Sequence, residues 1–403
     1  MQRTLRTRRL PAQGARRGEV ALLTGFADPE YGWVRCDAAA VLAADLAARQ
    51  VPATVRTSPL GEAANGILLT VSYVDRRGVA GGFALLAHQD DSAGIVAAQQ
   101  AVTRWRALLR SRRLLVADVP ALCWGGRRAL RLIREQGPVV SLGRPAGAAD
   151  VSSVADLDRV PEGATIVLPA HGATLAARAE IAARGIRVVD ATCPLVAAAQ
   201  TDAAARAADS DLVVVIGDAS HAATLVLAEH AGDAAVVIGD PEAVAGLASP
   251  LSSRVSFVIE PGLSAERAMP VLRALRARFP RLHGHHLDAL CDATSDREQT
   301  IASVAAASEL VLVLTADERE ARRITDTPVR VISRLTDLDL SALNDVTIVG
   351  LVTGLSCDPA LSREVTAAIS GLGPLSVRRR GVRTRGYPTD EPASQSDTVN
   401  SVP

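Results

Sequence analysis

The sequence predicts an α/β protein made of several small parallel sheets, preceded by a smaller α/β domain. Three observations predict it. From about residue 113, short β-branched runs alternate with alanine- and leucine-rich helical patterns, the rhythm of strand–helix–strand units. Before that point the rhythm differs, with two long apolar strand patterns joined by a polar turn. Finally, Cys123, Cys193 and Cys291 each stand at a turn into a helical pattern and divide the second region into segments of comparable size.

The elements follow in order. Met1–Arg17 is Arg-rich, with no clear amphipathic face, and residues 1–18 read as a disordered tail. Residues 19–112 read as a small α/β domain of about 90–100 residues, an ordinary domain size. Its strands are residues 19–25, Ala53–Arg56, Gly66–Val74 and Gly82–His88, and its helices are Ala38–Ala48 and Ser92–Leu109. Cys36 lies in its first loop and reads as structural. The domain shows no GxGxxG, P-loop or HExxH, so its role is not legible. Residues 113–377 carry strand patterns at Leu114–Ala117, Val139–Leu142, Thr165–Leu168, Arg187–Val189, Leu212–Ile216, Ala235–Ile238, Val255–Ile259, Leu310–Leu314, Val329–Ile332 and Thr347–Leu351. Residues 378–403, rich in Arg, Ser, Thr and Pro, read as a second disordered tail.

Composition narrows the chemistry. All 44 basic residues are arginine, so a Schiff-base lysine and a P-loop lysine are both excluded. They balance 44 acidic residues, and a net charge of zero gives no reason to expect a nucleic-acid partner. Aromatics are only 2% of the chain, so Ala, Val, Leu and Ile must build the core. No uninterrupted apolar run reaches the roughly 18 residues of a membrane span. Five cysteines without an apolar leader point to a reducing, cytoplasmic setting.

The stretch Asp190-Ala-Thr-Cys-Pro-Leu-Val196 is the most informative one. A β-branched run leads in and an alanine-rich helical pattern leads out, so Cys193 is expected where a buried strand ends and a helix begins. Unpaired N–H groups and the positive end of the helix dipole favour a thiolate there. Such a thiolate is a metal ligand, a nucleophile or a redox group; taken singly, a buried apolar cysteine is equally consistent. Cys123 precedes a helical pattern at 127–134 and Cys291 one at 296–307. Close Cys-x-x-Cys pairs are absent, which argues against a zinc ribbon. Three distant thiolates that converge suit an iron–sulfur cluster with one iron left without a protein ligand. His283, His285 and His286 read as a solvated loop, and Cys357 as a loop thiol.

These residues resemble a known family. Asp190–Val196 is identical to the middle cysteine motif of the 4-hydroxy-3-methylbut-2-enyl diphosphate reductases, the IspH or LytB family. Ala121-Leu-Cys-Trp-Gly-Gly-Arg-Arg-Ala129 is similar to its first motif, with Cys123, Gly125, Arg128 and Ala129 matching. Leu290-Cys-Asp-Ala-Thr294 resembles its third, and Ala170-His-Gly172 its Ala-His-Gly motif. The resemblance spans about 113–375 and leaves 19–112 outside it. It implies a three-lobed arrangement of small parallel sheets around a central cavity, where Cys123, Cys193 and Cys291 ligate a 4Fe-4S cluster. It also implies an allylic diphosphate substrate, reductive removal of its hydroxyl as water, isopentenyl and dimethylallyl diphosphates as products, and a ferredoxin or flavodoxin as electron donor. His171, His221, Thr294 and Ser356 become candidate substrate-side residues. A helix N-cap accounts for Thr294 equally well.

The chain departs from the family at several points. The Gly-His-x-x-His-Pro-Glu motif falls on Gly217-Asp-Ala-Ser-His221-Ala-Ala223, so alanine stands where the family has its proton-relay acid. The Gln-Thr-Thr-Leu-Ser motif falls on Glu260-Pro-Gly-Leu-Ser264, and the diphosphate-holding Ser-Ser-Asn segment falls near Thr315–Glu320. The sequence therefore assigns no catalytic acid; Asp218, Glu260, Asp317 and Glu318 are the nearby carboxyls. Retained ligands beside altered pocket groups leave a second reading open: a cluster-binding paralogue with another substrate, or a redox or iron sensor.

Overall fold

A computed structural model describes residues 4–57, 65–75, 78–120, 122–143, 151–248, 254–284, 289–315, 327–354 and 357–384. The chain opens with β1 (Arg6–Ala12), β2 (Val20–Leu23), β3 (Gly25–Asp28), β4 (Gly32–Arg35), α1 (Ala39–Ala48), β5 (Ala53–Arg56), β6 (Gly66–Val74), β7 (Ala80–His88) and α2 (Ser92–Leu108). It continues with β8 (Arg112–Ala117), α3 (Trp124–Glu135), β9 (Val140–Leu142), β10 (Ser153–Val154), β11 (Thr165–Leu168), α4 (Leu175–Ala183), β12 (Arg187–Asp190), α5 (Pro194–Asp209) and β13 (Leu212–Ile216). Next are α6 (Ala222–Ala231), β14 (Ala235–Ile238), β15 (Val255–Ile259), α7 (Ala265–Arg278), β16 (His283–Gly284) and α8 (Asp292–Ala306). It closes with β17 (Leu310–Leu314), β18 (Val329–Ile332), β19 (Ile348–Thr353), α9 (Pro359–Ser370) and β20 (Leu375–Arg380).

These elements form two compact units, Met1–Val119 with Thr300–Gly381, and Pro120–Gln299 with Val382–Pro403. In the first unit, β1-β6-β7-β2-β5 make a mixed sheet with β3 and β4 at its side. The parallel sheet β18-β17-β19-β8-β20 belongs to the same unit. The two sheets are not independent. Leu22, Leu42, Phe83 and Trp105 from the early elements share one core with Leu114, Leu312, Leu351 and Val365. The expected domain boundary at 112/113 therefore falls inside a single core. Tyr73 reinforces it by donating its hydroxyl to Ser370 O at 2.9 Å.

In the second unit, β10-β9-β11-β12 and β14-β13-β15-β16 are both fully parallel. The second of these shows why its strands read as continuous apolar runs. Side chains alternate across a strand, and here both faces are covered. Val214, Ile216, Phe257 and Ile259 pack toward α7, while Val213, Val215 and Val258 pack toward α5 and α6. A strand buried on both sides reads as a nearly continuous apolar run, broken in β15 only by the buried Ser256.

Several expectations need correction. Residues 6–12, assigned to a disordered tail, form β1, paired antiparallel with β6. Its partly buried arginines are held by acids elsewhere: Arg8 meets Glu30 at 2.6 Å and Asp28 at 3.6 Å. At the other end β20 runs in parallel register with β8 to Arg380, into the region assigned to the second tail; residues 385–403 lie outside the described ones. The strand before Cys193, expected to be buried, is the edge strand β12 and is largely exposed. Two helices also begin earlier than their apolar patterns suggest. α3 starts at Trp124 and α8 at Asp292, each immediately after a cysteine. That places Thr294 in the first turn of α8, so it is not an N-cap.

Candidate functional site

The site is built from three helix starts of the second unit. Cys123 is the N-cap of α3, in extended backbone, and its sulfur accepts the Gly126 N–H at 3.4 Å. Cys193 is the N-cap of α5, followed by Pro194, which lacks an N–H where none is needed. Cys291 directly precedes α8. All three thiols therefore face the unpaired N–H groups of a helix N-terminus.

The three sulfurs act on one another. The Cys123 and Cys291 side chains interact directly, and Cys193 feels the charge at Cys123. Cys123 and Cys291 titrate as a pair: the first thiol to ionise is pulled well below the ordinary cysteine value and the other is pushed far above it. The N–H groups of Gly125 and Gly126, and nearby Arg127, favour the charge at Cys123. Burial pushes the Cys193 thiol up, opposed by the Leu195 and Val196 N–H groups. Gly125 sets the approach between the two helix starts, since a Cβ there would stand 2.6 Å from Cys193 Sγ.

Two backbone bonds tie these cysteines to the polar turns beside them. Cys193 N donates to Ala170 O at 2.8 Å, which fixes the turn carrying His171. Cys291 N donates to Pro261 O at 2.8 Å, which fixes the turn carrying Glu260. Between those turns stands His221, the N-cap residue of α6, whose Nδ1 is 3.7 Å from Glu260 Oε2. Glu260 is buried, and burial pushes its carboxyl above the ordinary range; the charges of His221 and Arg267 and a 2.9 Å bond from Gly262 N–H oppose the shift. Burial and the facing His221 lower the affinity of His171 for a proton.

Several buried polar atoms at these turns have no hydrogen-bond partner among the described residues: His171 Nδ1, Gln200 Nε2, Thr224 Oγ1 and Ser264 Oγ. An unmet buried polar atom costs about 1–3 kcal/mol, so such atoms grouped at the ends of parallel strands suit a polar ligand. Glycines leave room beside two of them. A Cβ at Gly172, with φ of +84°, would lie 2.5 Å from Gln200 Nε2, and one at Gly217 would lie 2.5 Å from Thr224 Oγ1. The Cys193 segment is braced from behind. Arg178 donates to Asp190 at 2.8 Å and to Thr192 Oγ1 at 3.2 Å, and Arg128 donates to Thr192 O at 3.3 Å.

Of the expected site residues, Cys123, Cys193, Cys291, His171 and His221 lie in the second unit and are linked by these contacts, and Thr294 stands near Cys291 on α8. Ser356 lies outside the described residues, as do Asp317, Glu318, Arg319, His285 and His286. Cys36 is buried in the first unit, its thiol pushed up to about 12 by burial, as a structural cysteine should be. Gln200 and Thr224 were not singled out from sequence; their only local signal is a polar residue inside an apolar helical pattern. Among the described residues no three His, Cys, Asp or Glu side chains are arranged around a single metal ion. That is compatible with a cluster, because thiolates bound to different irons stand farther apart than ligands of one ion.

Comparison with known proteins gives the family. The family model described as LytB protein matches residues 115–370. The chain belongs to that family. This LytB chain is 32% identical over 299 residues to the 4-hydroxy-3-methylbut-2-enyl diphosphate reductase 2 of Mycobacterium bovis, covering 67% of this chain and 90% of that protein. It is 31% identical over 233 residues to the corresponding reductase of Leifsonia xyli subsp. xyli, covering 56% and 69%. The solved structure of the E-1-hydroxy-2-methyl-but-2-enyl-4-diphosphate reductase from Plasmodium falciparum matches with a TM-score of 0.58 at 18% identity. That match covers 67% of this chain and 92% of the other, and shows a shared fold. The LytB chain is thus a member of an oxidoreductase family, and its first 114 residues lie ahead of the family match.

Proposed function

We propose that this protein is a 4Fe-4S reductase that converts 4-hydroxy-3-methylbut-2-enyl diphosphate to isopentenyl and dimethylallyl diphosphates, with loss of water. The observation that carries the reading is the meeting of three thiols at three helix N-termini, Cys123, Cys193 and Cys291. The donor set fits the cluster: soft thiolates, a preorganised positive field to hold their charge, and a glycine where a methyl group would block Cys193. When bound, the cluster would supply Lewis-acid activation of the hydroxyl leaving group and the route for electrons. The protein's own part is to bind, orient and supply protons. His171, His221 and Thr294, with Ser356, are proposed to face the substrate, and the unpartnered Gln200, Thr224 and Ser264 groups offer it hydrogen bonds. The electrons are proposed to come from a reduced ferredoxin or flavodoxin, and the setting to be cytoplasmic. No described helix is long and apolar enough to cross a membrane.

The test is anaerobic purification, iron and sulfide counts, and turnover of hydroxymethylbutenyl diphosphate with dithionite or reduced ferredoxin. Four irons and four sulfides per chain with product formation are expected. A fully loaded protein that leaves this substrate untouched would reject the activity and keep the cofactor.

A further inference from the structure

The reduction consumes two electrons and two protons: a C–O bond breaks, a C–H bond forms, and the hydroxyl leaves as water. The electrons come from the external carrier protein, so the chain must provide a path for protons. The usual position for an acid near the start of α6 offers none, because Ala223 is there and is buried. The second unit contains a carboxyl placed differently.

Glu260 ends the run of β15 and is 5% exposed. Its Oε1 accepts the Gly262 N–H at 2.9 Å, while Oε2 points toward His221 Nδ1 at 3.7 Å. The His221 side chain is 54% exposed, so this residue reaches solvent on one side and the buried carboxyl on the other. His171, half-buried, faces His221 in turn. The array is anchored at both ends, because the His171 turn is bonded to Cys193 and the Glu260 turn to Cys291. Gly217 makes room at the base of the Glu260 side chain, since a Cβ there would lie 3.2 Å from Glu260 Cβ. The Gly262 N–H occupies Oε1 and leaves Oε2 facing His221, and a buried carboxyl set against a histidine is a candidate functional group.

We infer that Glu260 is the proton source for the reduction in this chain, replenished from solvent through His221. The inference rests on the proposed reductase reading. Glu260 gives up one proton toward the departing hydroxyl, His221 returns it from water, and the second proton reaches the carbon by the same route in the next half of the cycle. The groups bearing on Glu260 are His221 and Arg267, which favour its ionised form, and Asp218, which opposes it. Burial outweighs the first two and keeps the carboxyl protonated to higher pH than usual.

The test compares Glu260→Gln with the wild type as cluster-loaded proteins. Iron content and affinity for the diphosphate substrate should be unchanged, while turnover falls by about 100-fold or more. The high-pH limb of the wild-type rate profile, where the acid is spent, should vanish in the variant. Infrared difference spectra supply a readout independent of turnover: the carbonyl band of a protonated carboxyl in the wild type, absent from Glu260→Gln. A variant with full iron that keeps turnover within about twofold, or a wild type without the band at neutral pH, overturns the inference. Wild-type protein that shows the band and holds the cluster, but does not reduce the substrate, instead overturns the activity reading alone.

Discussion

At Gly125 a hydrogen in place of a methyl group lets Cys193 share a site with Cys123. Alanine there gains about 1 kcal/mol of helix propensity, yet its Cβ would overlap the sulfur. Gly125→Ala is therefore expected to fold and to take up at most half the wild-type iron on anaerobic reconstitution, measured as iron per chain. Cys193→Ser should lose the cluster absorbance outright; retention of wild-type iron by that variant would remove Cys193 from the ligand set. Glu260 carries a different signature. Its carboxyl ionises at higher pH when folded than when unfolded. The sign follows: its stability contribution is intact below the ordinary carboxylate range and is lost as pH rises through the folded value. Glu260→Gln should accordingly melt above the wild type in mildly alkaline buffer and coincide with it in acid. A melting difference independent of pH would mean that the carboxyl does not titrate as argued.

Among the elements, the helix starts do most to position chemistry. α3, α5 and α8 each begin one residue after a cysteine, so a single backbone device, the unpaired N-terminal N–H groups, serves all three sulfurs. The helix beside His171 begins differently. Thr174 caps α4 by accepting the Ala177 N–H at 3.1 Å. Thr174→Ala should cost about 0.5–2 kcal/mol in a denaturant melt, with iron content kept as long as Arg178 on α4 still bonds Asp190 and Thr192 behind Cys193. The strand pattern was legible where burial is two-sided: β11, β13, β15 and β17 occupy the residues their apolar runs indicate. It was not legible at β1, where Arg6 and Arg8 look like a solvated tail until Glu30 and Asp28 arrive from β3 and the turn after it. Nor was the exposure of β12 legible, since a β-branched run reads the same at the edge of a sheet as at its centre.

For the whole molecule, the decisive feature is the shared core of the first unit. Leu22, Trp105, Leu312 and Leu351 pack into one cluster although they come from opposite ends of the chain. Removal of residues 1–112 should therefore expose β8, β17 and β19 and yield an aggregating product, read by solubility and near-UV circular dichroism. A soluble, cooperatively melting fragment of 113–403 would show that the early domain is an appendage after all. Within that core Leu312, almost fully buried, should cost about 2–5 kcal/mol when truncated to alanine.

The sequence alone determined what is local or chemically unusual. β-branched runs set the parallel strands, glycines and prolines the turns, and three cysteines in a recognisable context the metal chemistry. Each follows from residues close together in the chain, where steric preference and hydrophobic period act directly. Only the tertiary structure decided which distant groups meet. It joined the first domain to the sheet of β8 and β17–β20, turned β12 outward, and placed Glu260 beside His221. Pairings of that kind depend on the order in which strands assemble, and two residues carried by different strands and helices leave no periodic trace of their contact.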